Sequence, residues 1–196
     1  LLVTLKLALT TCLFLALIGT PIAYLLAFSS IKGKAIIQSV VTLPLVLPPT
    51  VIGFYLIVIF SPDTNLGKFF ILITGEQLVF SFYGLVLASI LYSLPFWIQP
   101  LQTSFENIGK KTIQTANSLG AGSFDTFINV IIPLCRRGFL TSFVLTFAHT
   151  MGAAGVGSQA VQVFGAKWET LIAVLLTLAI LYFSEIIPKT LGATFW

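Results

Sequence analysis

Runs of apolar residues long enough to cross a lipid bilayer constrain this chain more than any other feature. A membrane-spanning helix needs about 20 consecutive, mostly apolar residues. Stretches that approach or exceed this length lie at about 2–28, 35–60, 78–101, 139–164 and 171–187. Because lipid offers no hydrogen-bond partner to the open edge of a sheet, such stretches fold as helices. The sequence therefore predicts an all-α fold, a polytopic bundle of about five transmembrane spans.

The composition supports a membrane protein and argues against a protein that binds nucleic acid. Hydrophobic residues make up 57% of the 196 residues and charged residues only 8%, whereas a soluble domain carries about 25% charged residues. The formal net charge is +4, and no lysine-rich or arginine-rich run of the nucleic-acid-binding kind occurs. In a membrane protein, basic residues report first on the orientation of the spans.

The basic residues are concentrated in alternate loops. Six of the ten lysine and arginine residues lie in the first and third loops: Lys32, Lys34, Lys110, Lys111, Arg136 and Arg137. Cytoplasmic loops of membrane proteins carry an excess of basic residues. We therefore expect the first and third loops in the cytoplasm and the N-terminus outside.

Three prolines interrupt the second apolar stretch, within the segment LPLVLPPTVIGF. Pro44, Pro48 and Pro49 each lack a backbone N–H, and Pro48 also disfavours helical angles at Leu47. A regular helix is therefore not expected to run through this segment. Broken backbone at membrane depth is tolerated where protein covers it or a water-filled cavity borders it. Two interpretations follow: a kink that serves packing, or a segment whose three prolines line a substrate path.

The third loop, at about 104–137, is polar, and its central part reads TIQTANSLGAGSFDTFINVIIP. Apolar residues recur at near-helical spacing on both sides of Gly120 and Gly122, which permit a tight turn. This pattern predicts two short amphipathic helices that meet at a sharp angle, the second ending at Pro133. Such an element is suited to docking in a groove of a soluble partner. The alternative is an ordinary pair of interfacial helices.

The spacing within this loop resembles the EAA loop of ABC-importer permeases, E-A-A-x3-G-x9-I-x-L-P. The corresponding positions are Gln114, Thr115, Ala116, Gly120, Val130, Ile132 and Pro133. Ala116, Gly120 and Pro133 match the pattern, whereas Gln114 and Thr115 replace its Glu and its first Ala. The resemblance implies that these residues couple the membrane helices to a cytoplasmic ATPase. A contact that needs the missing carboxylate is not expected.

Two further stretches resemble permeases of the molybdate type: the Pro-rich second span, from Gly33 to Val58, and the third span, from Phe80 to Leu101. This resemblance covers about residues 1–147. It implies the membrane-spanning permease subunit of an ABC importer for a small oxyanion, molybdate or tungstate rather than sulfate, in the bacterial inner membrane. It also implies a homodimer, a cytoplasmic ATPase that holds ATP and magnesium, and an external substrate-binding protein. The chain itself would then carry no cofactor and no enzymatic activity.

The remainder, about residues 148–196, resembles the transmembrane domain of CNNM/CorC-type magnesium transporters, above all in SEIIPKTLGATFW. That resemblance implies that Glu185 lies near a magnesium site. Alternatively, the carboxylate of Glu185 reaches the lipid headgroups or pairs with Lys189. The second functional hypothesis is therefore a membrane domain of a divalent-cation transporter, and the third is a non-functional chimeric fragment.

The single histidine, His149, lies inside the fourth predicted span. Ionisable residues within a span are either held by polar neighbours or take part in transport. The sequence leaves two interpretations for His149: a hydrogen-bonded packing residue, or a member of a proton relay.

Overall fold

A computed structural model of the chain describes residues 2–47 and 49–164. Within these residues all regular secondary structure is helical. The helices are α1 (Leu2–Phe28), α2 (Lys34–Val46), α3 (Pro49–Phe60), α4 (Asn65–Thr74), α5 (Phe82–Ser118), α6 (Ser123–Thr126), α7 (Ile132–Leu134) and α8 (Arg136–Phe164), with a π-helical segment, Phe127–Ile131, between α6 and α7. The chain divides into two compact units, Leu1–Met151 and Gly152–Trp196. The packing described below lies within the first unit.

The described helices include the first four predicted spans. α1 and α5 are each long and apolar enough to cross a membrane, and up to four spans result if each of two bent helix pairs is counted as one. The bent pairs are Lys34–Val46 with Val51–Phe60, and Ser123–Leu134 with Arg136–Ala154. The predicted all-α, multi-pass fold is confirmed over this part of the chain. The fifth predicted span, 171–187, lies outside the described residues.

α1 and α5 pack side by side and run in the same direction. Near the start of both helices, the Lys6 ammonium lies 5.0 Å from the centroid of the Phe82 ring. Further along, the Trp97 indole N–H donates to Thr20 Oγ1 at 3.3 Å. Two parallel spans require the chain between them to cross the membrane an odd number of times. The bent pair formed by α2 and α3 is the candidate for this crossing.

The predicted break in the second span is confirmed and falls at Leu47. α2 ends at Val46, Leu47 has extended angles (φ −78°, ψ 136°), and α3 begins at Pro49. A following proline ring disfavours helical angles at Leu47, and the first position of a helix does not need the N–H that Pro49 lacks. Pro44 lies within α2, so that helix continues through the first proline. Pro48 lies outside the described residues.

The second loop contains a helix, α4, that the hydrophobicity pattern did not predict. Its ten residues are too few to cross a bilayer, which takes about 20, and this is why the segment was expected to be a loop. Thr64 caps the N-terminus of α4 by accepting the Gly67 N–H at 3.0 Å. Gly75 ends the helix in the left-handed conformation, with φ 74°, which glycine adopts without strain.

The same capped turn precedes both α4 and α5. In each turn a hydroxyl donates to the carbonyl three residues earlier, at 2.8 Å, and accepts the N–H three residues later, at 3.0 or 3.1 Å. The residues are Ser61, Thr64 and Gly67 before α4, and Leu78, Ser81 and Gly84 before α5. A β-carbon on either glycine would collide with the carbonyl oxygen of the first residue of its turn. Both turns therefore depend on glycine for space rather than for a positive φ.

We expect Gly67→Ala and Gly84→Ala each to destabilise the protein by about 1–3 kcal/mol, because the added methyl group meets backbone that cannot move aside easily. Gly53→Ala in α3 is the matched control, since nothing lies within 4 Å of a β-carbon there and alanine is favoured over glycine inside a helix. Thermal unfolding of the detergent-solubilised protein measures the effect. A melting temperature that is unchanged in Gly67→Ala and Gly84→Ala would contradict the steric explanation.

A cluster of five aromatic rings joins one end of the bundle to the third loop. Tyr24, Phe28, Phe105, Phe127 and Phe139 have neighbouring ring centroids 5.0–6.2 Å apart, within the range of favourable aromatic pairs. They come from α1, α5, the π-helical segment and α8. Phe105, at the centre of the cluster, is completely buried. The aromatic cluster therefore fixes the third loop to the spans.

Candidate coupling surface

The third loop forms the predicted pair of helices around Gly120. The first helix is the end of α5, and Gly120 follows it with φ 90°. The Gly120 N–H donates to Asn117 O at 3.0 Å, and the Ala121 N–H donates to Ala116 O at 3.1 Å. These two bonds are the Schellman arrangement that ends a helix on a left-handed residue, usually glycine. The predicted turn is therefore confirmed, and Gly120 has a definite structural role.

A second glycine, Gly109, separates this first helix from the span that precedes it. Gly109 has φ 74° and ψ 153°, far from helical values, so α5 consists of two helical segments, 82–108 and 110–118. This combination of angles is essentially restricted to glycine. Nothing lies within 4 Å of a β-carbon at Gly109, which means that conformation and not crowding requires the glycine. The sequence did not predict this break.

The second helix of the loop runs from Ser123 to Leu134 and does not end at Pro133 as predicted. The Ile132 N–H donates to Phe127 O, five residues earlier, so the turn before Pro133 is wider than in an α-helix. This widening accommodates a proline, which lacks an N–H and whose ring crowds the carbonyl four residues earlier. The helix ends one residue later, and the chain bends by 72° into α8.

The residues that match the EAA pattern lie on both faces of this helix–turn–helix. Those on the exposed face are Gln114, Thr115, Gly120 and Pro133; Ala116 is buried, and Val130 and Ile132 are half-buried. The Thr115 hydroxyl donates to Lys111 O at 3.0 Å within its own helix. The pattern therefore marks the helix–turn–helix as a whole and not a single cluster of side chains.

The inner face of the loop packs against the spans. Ile131 is completely buried, and the Phe127 ring lies 5.7 Å from the Tyr24 ring at nearly a right angle. The Thr126 hydroxyl donates to Asn117 Oδ1 at 3.3 Å and ties the two helices of the loop together. A displacement of the loop would therefore be passed directly to α1 and α5.

The outer face presents an exposed apolar patch, which we define as Leu119, Phe124 and Ile128. Their side chains are 84%, 80% and 40% exposed. Phe124 and Ile128 are four residues apart and share one face of their helix, and Leu119 lies across the turn. Leu119 and Phe124 belong to the apolar residues on either side of Gly120 and Gly122, which sequence analysis interpreted only as the apolar pattern of two helices. Their position beside two glycines in a polar loop was the signal that they could be exposed.

The remaining predicted site residues lie elsewhere. Pro44 is half-buried within α2 and Pro49 begins α3, neither of them at the coupling surface. Pro48, Glu185 and most of the tail, residues 165–196, lie outside the described residues. Lining of a substrate path by the prolines, and magnesium binding at Glu185, both stay predictions.

The described fold and site define a multi-pass helical membrane protein in which a partly exposed helix–turn–helix directly joins two candidate spans. Comparison with known proteins identifies the kind of membrane protein. The chain belongs to the family described as "binding-protein-dependent transport system inner membrane component", whose model matches residues 19–188. The match extends well beyond residue 147, the expected limit of the permease resemblance.

Several curated proteins are similar to this chain over most of its length. The molybdenum transport system permease protein ModB of Azotobacter vinelandii is 50% identical over 153 residues, which cover 78% of this chain and 68% of the relative. The protein of the same name from Haemophilus influenzae is 33% identical over 168 residues, covering 86% and 73%. The sulfate transport system permease protein CysT of a Synechocystis species is 35% identical over 153 residues, covering 78% and 53%.

Proposed function

We propose that this chain is the membrane-spanning permease subunit of an ABC importer for a small oxyanion, molybdate or tungstate in preference to sulfate. The observation that carries the proposal is the 50% identity to a molybdenum permease over 153 residues. Identity to the sulfate permease is 35%, also over 153 residues. The higher identity to the molybdenum permease favours molybdate or tungstate over sulfate as the substrate. The exposed helix–turn–helix between two spans supports a subunit that is driven by a partner.

The proposed partners follow from the same assignment. A cytoplasmic ATPase, which holds ATP and magnesium, binds the coupling loop, and an external substrate-binding protein delivers the oxyanion. The permease acts as a homodimer, with the N-terminus outside and the coupling loop inside. The excess of basic residues in the first and third loops supports this orientation.

The coupling loop transmits movement through its inner face. Phe127 and Ile131 pack against α1 and α5, so a displacement of the loop by the ATPase displaces these spans. The break at Gly109 gives the loop a pivot relative to the main part of α5. Pro44, Pro48 and Pro49 then line the path that opens, because the interrupted helix leaves backbone groups available at membrane depth.

The exposed apolar patch supplies much of the affinity for the ATPase. Gln114 and Thr115 stand where the EAA pattern has Glu and Ala, so a carboxylate contact at that position is replaced by other contacts. Aromatic and other large side chains near the centre of an interface contribute most of its binding energy. Phe124, which is 80% exposed, is the strongest candidate.

Uptake of oxyanions into proteoliposomes tests the proposed function. The vesicles contain the chain together with the ATPase and oxyanion-binding subunits from the same organism. We expect ATP-dependent uptake of molybdate and tungstate, with sulfate competing weakly. Vesicles without the chain are the control. ATP-independent uptake of magnesium, or no uptake of any oxyanion, would contradict the proposal.

We expect Phe124→Asp to weaken ATPase binding about thirtyfold, the factor for the loss of about 2 kcal/mol at an interface hot spot. Leu72→Asp is the matched control, because Leu72 is 84% exposed and lies in α4, far from the coupling loop along the chain. Titration of the solubilised permease with labelled ATPase measures the dissociation constants. Equal weakening by both substitutions would show that the effect is not specific to the patch.

A further inference from the structure

α4, the short helix of the second loop, carries apolar side chains that the described part of the chain leaves uncovered. Six of its ten residues are leucine, phenylalanine or isoleucine. Four of these six are largely exposed: Leu66, Phe69, Leu72 and Ile73 have exposed fractions of 50%, 62%, 84% and 65%. They recur at intervals of three and four residues, so they share one face of the helix. We call these four residues the α4 apolar face.

The opposite side of α4 packs against the start of α5. The Phe70 ring lies 5.7 Å from the Tyr83 ring, and both Phe70 and Ile71 are half-buried. The glycine-dependent turns before α4 and before α5 hold both ends of this arrangement. α4 is therefore a fixed part of the bundle, with apolar side chains both on its packed side and on its exposed face. A helix that is apolar on all sides is normally buried, in protein or in a membrane.

The level of α4 relative to the membrane follows from Lys6 and Phe82. The Lys6 ammonium lies 5.0 Å from the centroid of the Phe82 ring, and the next residue, Tyr83, is the one against which Phe70 packs. Lys6 is exposed, and a lysine near the end of a span extends its ammonium to the headgroups or to water. α4 therefore lies at the boundary between hydrocarbon and headgroups, at the end of α5 opposite the coupling loop.

An ionisable residue deeper in the bundle is held by a protein neighbour. Ser93 follows Phe82 by 11 residues, about 16 Å at 1.5 Å per residue. Its Oγ lies 3.1 Å from His149 Nδ1, so the hydrogen-bonded interpretation of His149 is confirmed. The exposed ammonium of Lys6 contrasts with this arrangement, as expected for a residue at the membrane boundary and not at its centre.

The helices on either side of α4 in the chain also expose apolar side chains. α3 belongs to a candidate bent span, and its Phe54 and Ile57 are 63% and 50% exposed. α5 is a candidate span, and Leu85 in its first turns is 50% exposed. Exposed apolar side chains of membrane-spanning helices face lipid, because lipid is the apolar solvent around them. The α4 apolar face lies between two such helices in the chain.

Lys68, the one charged residue of α4, borders the apolar face. It is exposed and precedes Leu72 by four residues, so the two side chains are neighbours on the helix surface. The stem of a lysine can lie along apolar surface while its ammonium reaches outward. An apolar face beside a cation is typical of helices that lie in the plane of the membrane interface, where the cation meets lipid phosphates.

Phe80, between α4 and α5, adds a further apolar side chain at this level. It is 93% exposed and has φ 58°, a conformation that a bulky residue rarely adopts. Such backbone persists only where the surroundings favour it. Phenylalanine and leucine on the apolar side of an interfacial helix insert between lipid chains, and insertion of the Phe80 ring would favour its outward position.

We propose that α4 is an interfacial helix whose apolar face is inserted into the phospholipid leaflet opposite the coupling loop. Acyl chains cover Leu66, Phe69, Leu72 and Ile73, and Lys68 reaches the lipid phosphates. The contact between Phe70 and Tyr83 then holds the start of α5 at a fixed depth. This lipid contact goes beyond the proposed function and does not depend on which ion is transported.

Phospholipid fits this face better than a soluble protein that binds and leaves. Large apolar patches exposed to water favour aggregation, and a partner that dissociates would return the face to water each time. Lipid covers the face continuously. The exposed side of α4 also offers few hydrogen-bonding groups, chiefly Asn65 and Lys68, whereas a protein interface has a polar rim with several hydrogen bonds.

A nitroxide spin label attached to Leu72→Cys measures the surroundings of the face. The full chain is reconstituted in vesicles of phosphatidylethanolamine and phosphatidylglycerol. Power-saturation electron paramagnetic resonance compares collisions with oxygen, which concentrates in hydrocarbon, and with a nickel chelate, which stays in water. We expect oxygen collisions to predominate and to place the label about 5–10 Å into the headgroup–acyl boundary.

Glu76→Cys is the matched control, because Glu76 is exposed just beyond the end of α4 and its label should collide mainly with nickel. The unaltered chain, treated in the same way, is the blank, since Cys12 and Cys135 are buried. Phe69→Cys repeats the measurement on the same face, so that a local disturbance at one position does not decide the result.

Each outcome supports or overturns the lipid contact. Predominant nickel collisions at Leu72→Cys and Phe69→Cys would overturn it, because the face would then lie in water. Few collisions of either kind would also overturn it, because protein, such as a second copy of the chain, would then cover the face. Oxyanion uptake by the unaltered chain is measured separately, so failure of the lipid contact is distinguishable from failure of the permease function.

Discussion

Replacing Gly120 by valine is expected to reduce both ATPase binding and oxyanion uptake to near background. Gly120 has φ 90°, a conformation that costs an ordinary L-residue about 1–2 kcal/mol and a β-branched residue more. The hydrogen bonds that end the helix at Asn117 and Ala116 depend on this conformation. When they are lost, Leu119 and Phe124 no longer lie on either side of a fixed turn, and the coupling surface loses its shape.

Gly122→Ala is the matched control for this effect, because it adds a side chain only two residues away. Gly122 has φ −72° and ψ 164°, which any residue adopts, and nothing lies within 4 Å of a β-carbon there. Binding and uptake should therefore stay near those of the unaltered chain. Co-purification with the ATPase, proteoliposome uptake and thermal unfolding of the permease are the measurements.

Thermal unfolding distinguishes a lost coupling surface from a lost fold. Gly120 is exposed, and the half-buried Phe127 and the buried Ile131 on the inner face of the loop are unaltered in Gly120→Val. The main unfolding transition should therefore remain within a few degrees of that of the parent. ATPase binding by Gly120→Val at the level of the parent would contradict the role of the turn and weaken the whole assignment of the coupling loop.

The features that the sequence predicted correctly are those set by local chemistry. α1 follows from a long and mostly apolar run, the break at Leu47 from two consecutive prolines, and the turn at Gly120 from glycine beside a helical pattern. Each depends on residues within a few positions of the feature itself. Such features can be predicted from the sequence without knowing which residues pack against them.

The features that the sequence did not predict depend on neighbours that are distant along the chain. α4 is too short to be predicted as a transmembrane span. Its boundaries are set by the N-cap residue Thr64 and by Gly75. The conformation of Gly109 within a long helical pattern has no local signal, because glycine there could equally be helical. The exposure of Phe124 is defined only once α5, α8 and the loop are assembled.

The candidate coupling surface likewise has some features that local sequence predicts and others that depend on contacts distant along the chain. The EAA-like spacing located the coupling loop but not which of its side chains face outward, since that depends on how Phe127 and Ile131 pack against α1 and α5.

Replacing Gly138 by valine is expected to prevent stable assembly of the bundle. A β-carbon on Gly138 would collide with both the Cβ and the Oγ of Ser104, so even one added carbon forces α8 away from α5. Overpacking of this kind costs about 1–3 kcal/mol or more, and the two further methyl groups of valine enlarge the conflict. Close approach at small residues is the main way in which helices associate in lipid. The yield of monodisperse protein after detergent extraction, measured by size-exclusion chromatography, should fall severely.

Ala148→Val is the matched control for Gly138→Val, because it also enlarges a small residue of α8 but at an exposed position. It should give a normal yield. Normal yield and melting temperature in Gly138→Val would contradict the close contact between α5 and α8 at Gly138 and Ser104.

A compensating substitution tests whether Ser104 is the specific obstacle. Ser104→Gly removes both atoms with which the new β-carbon collides, so Gly138→Ala should be better tolerated in the Ser104→Gly background than in the parent. The favourable coupling energy in the double-mutant cycle should be about 0.5–3 kcal/mol, the range for residues in direct contact, even though Ser104→Gly alone destabilises α5 by about 1 kcal/mol. If the effects of the two substitutions on stability are strictly additive, the added β-carbon at Gly138 collides with some group other than Ser104. Rescue, in contrast, would show that Gly138 and Ser104 set the distance between α5 and α8 near the coupling loop.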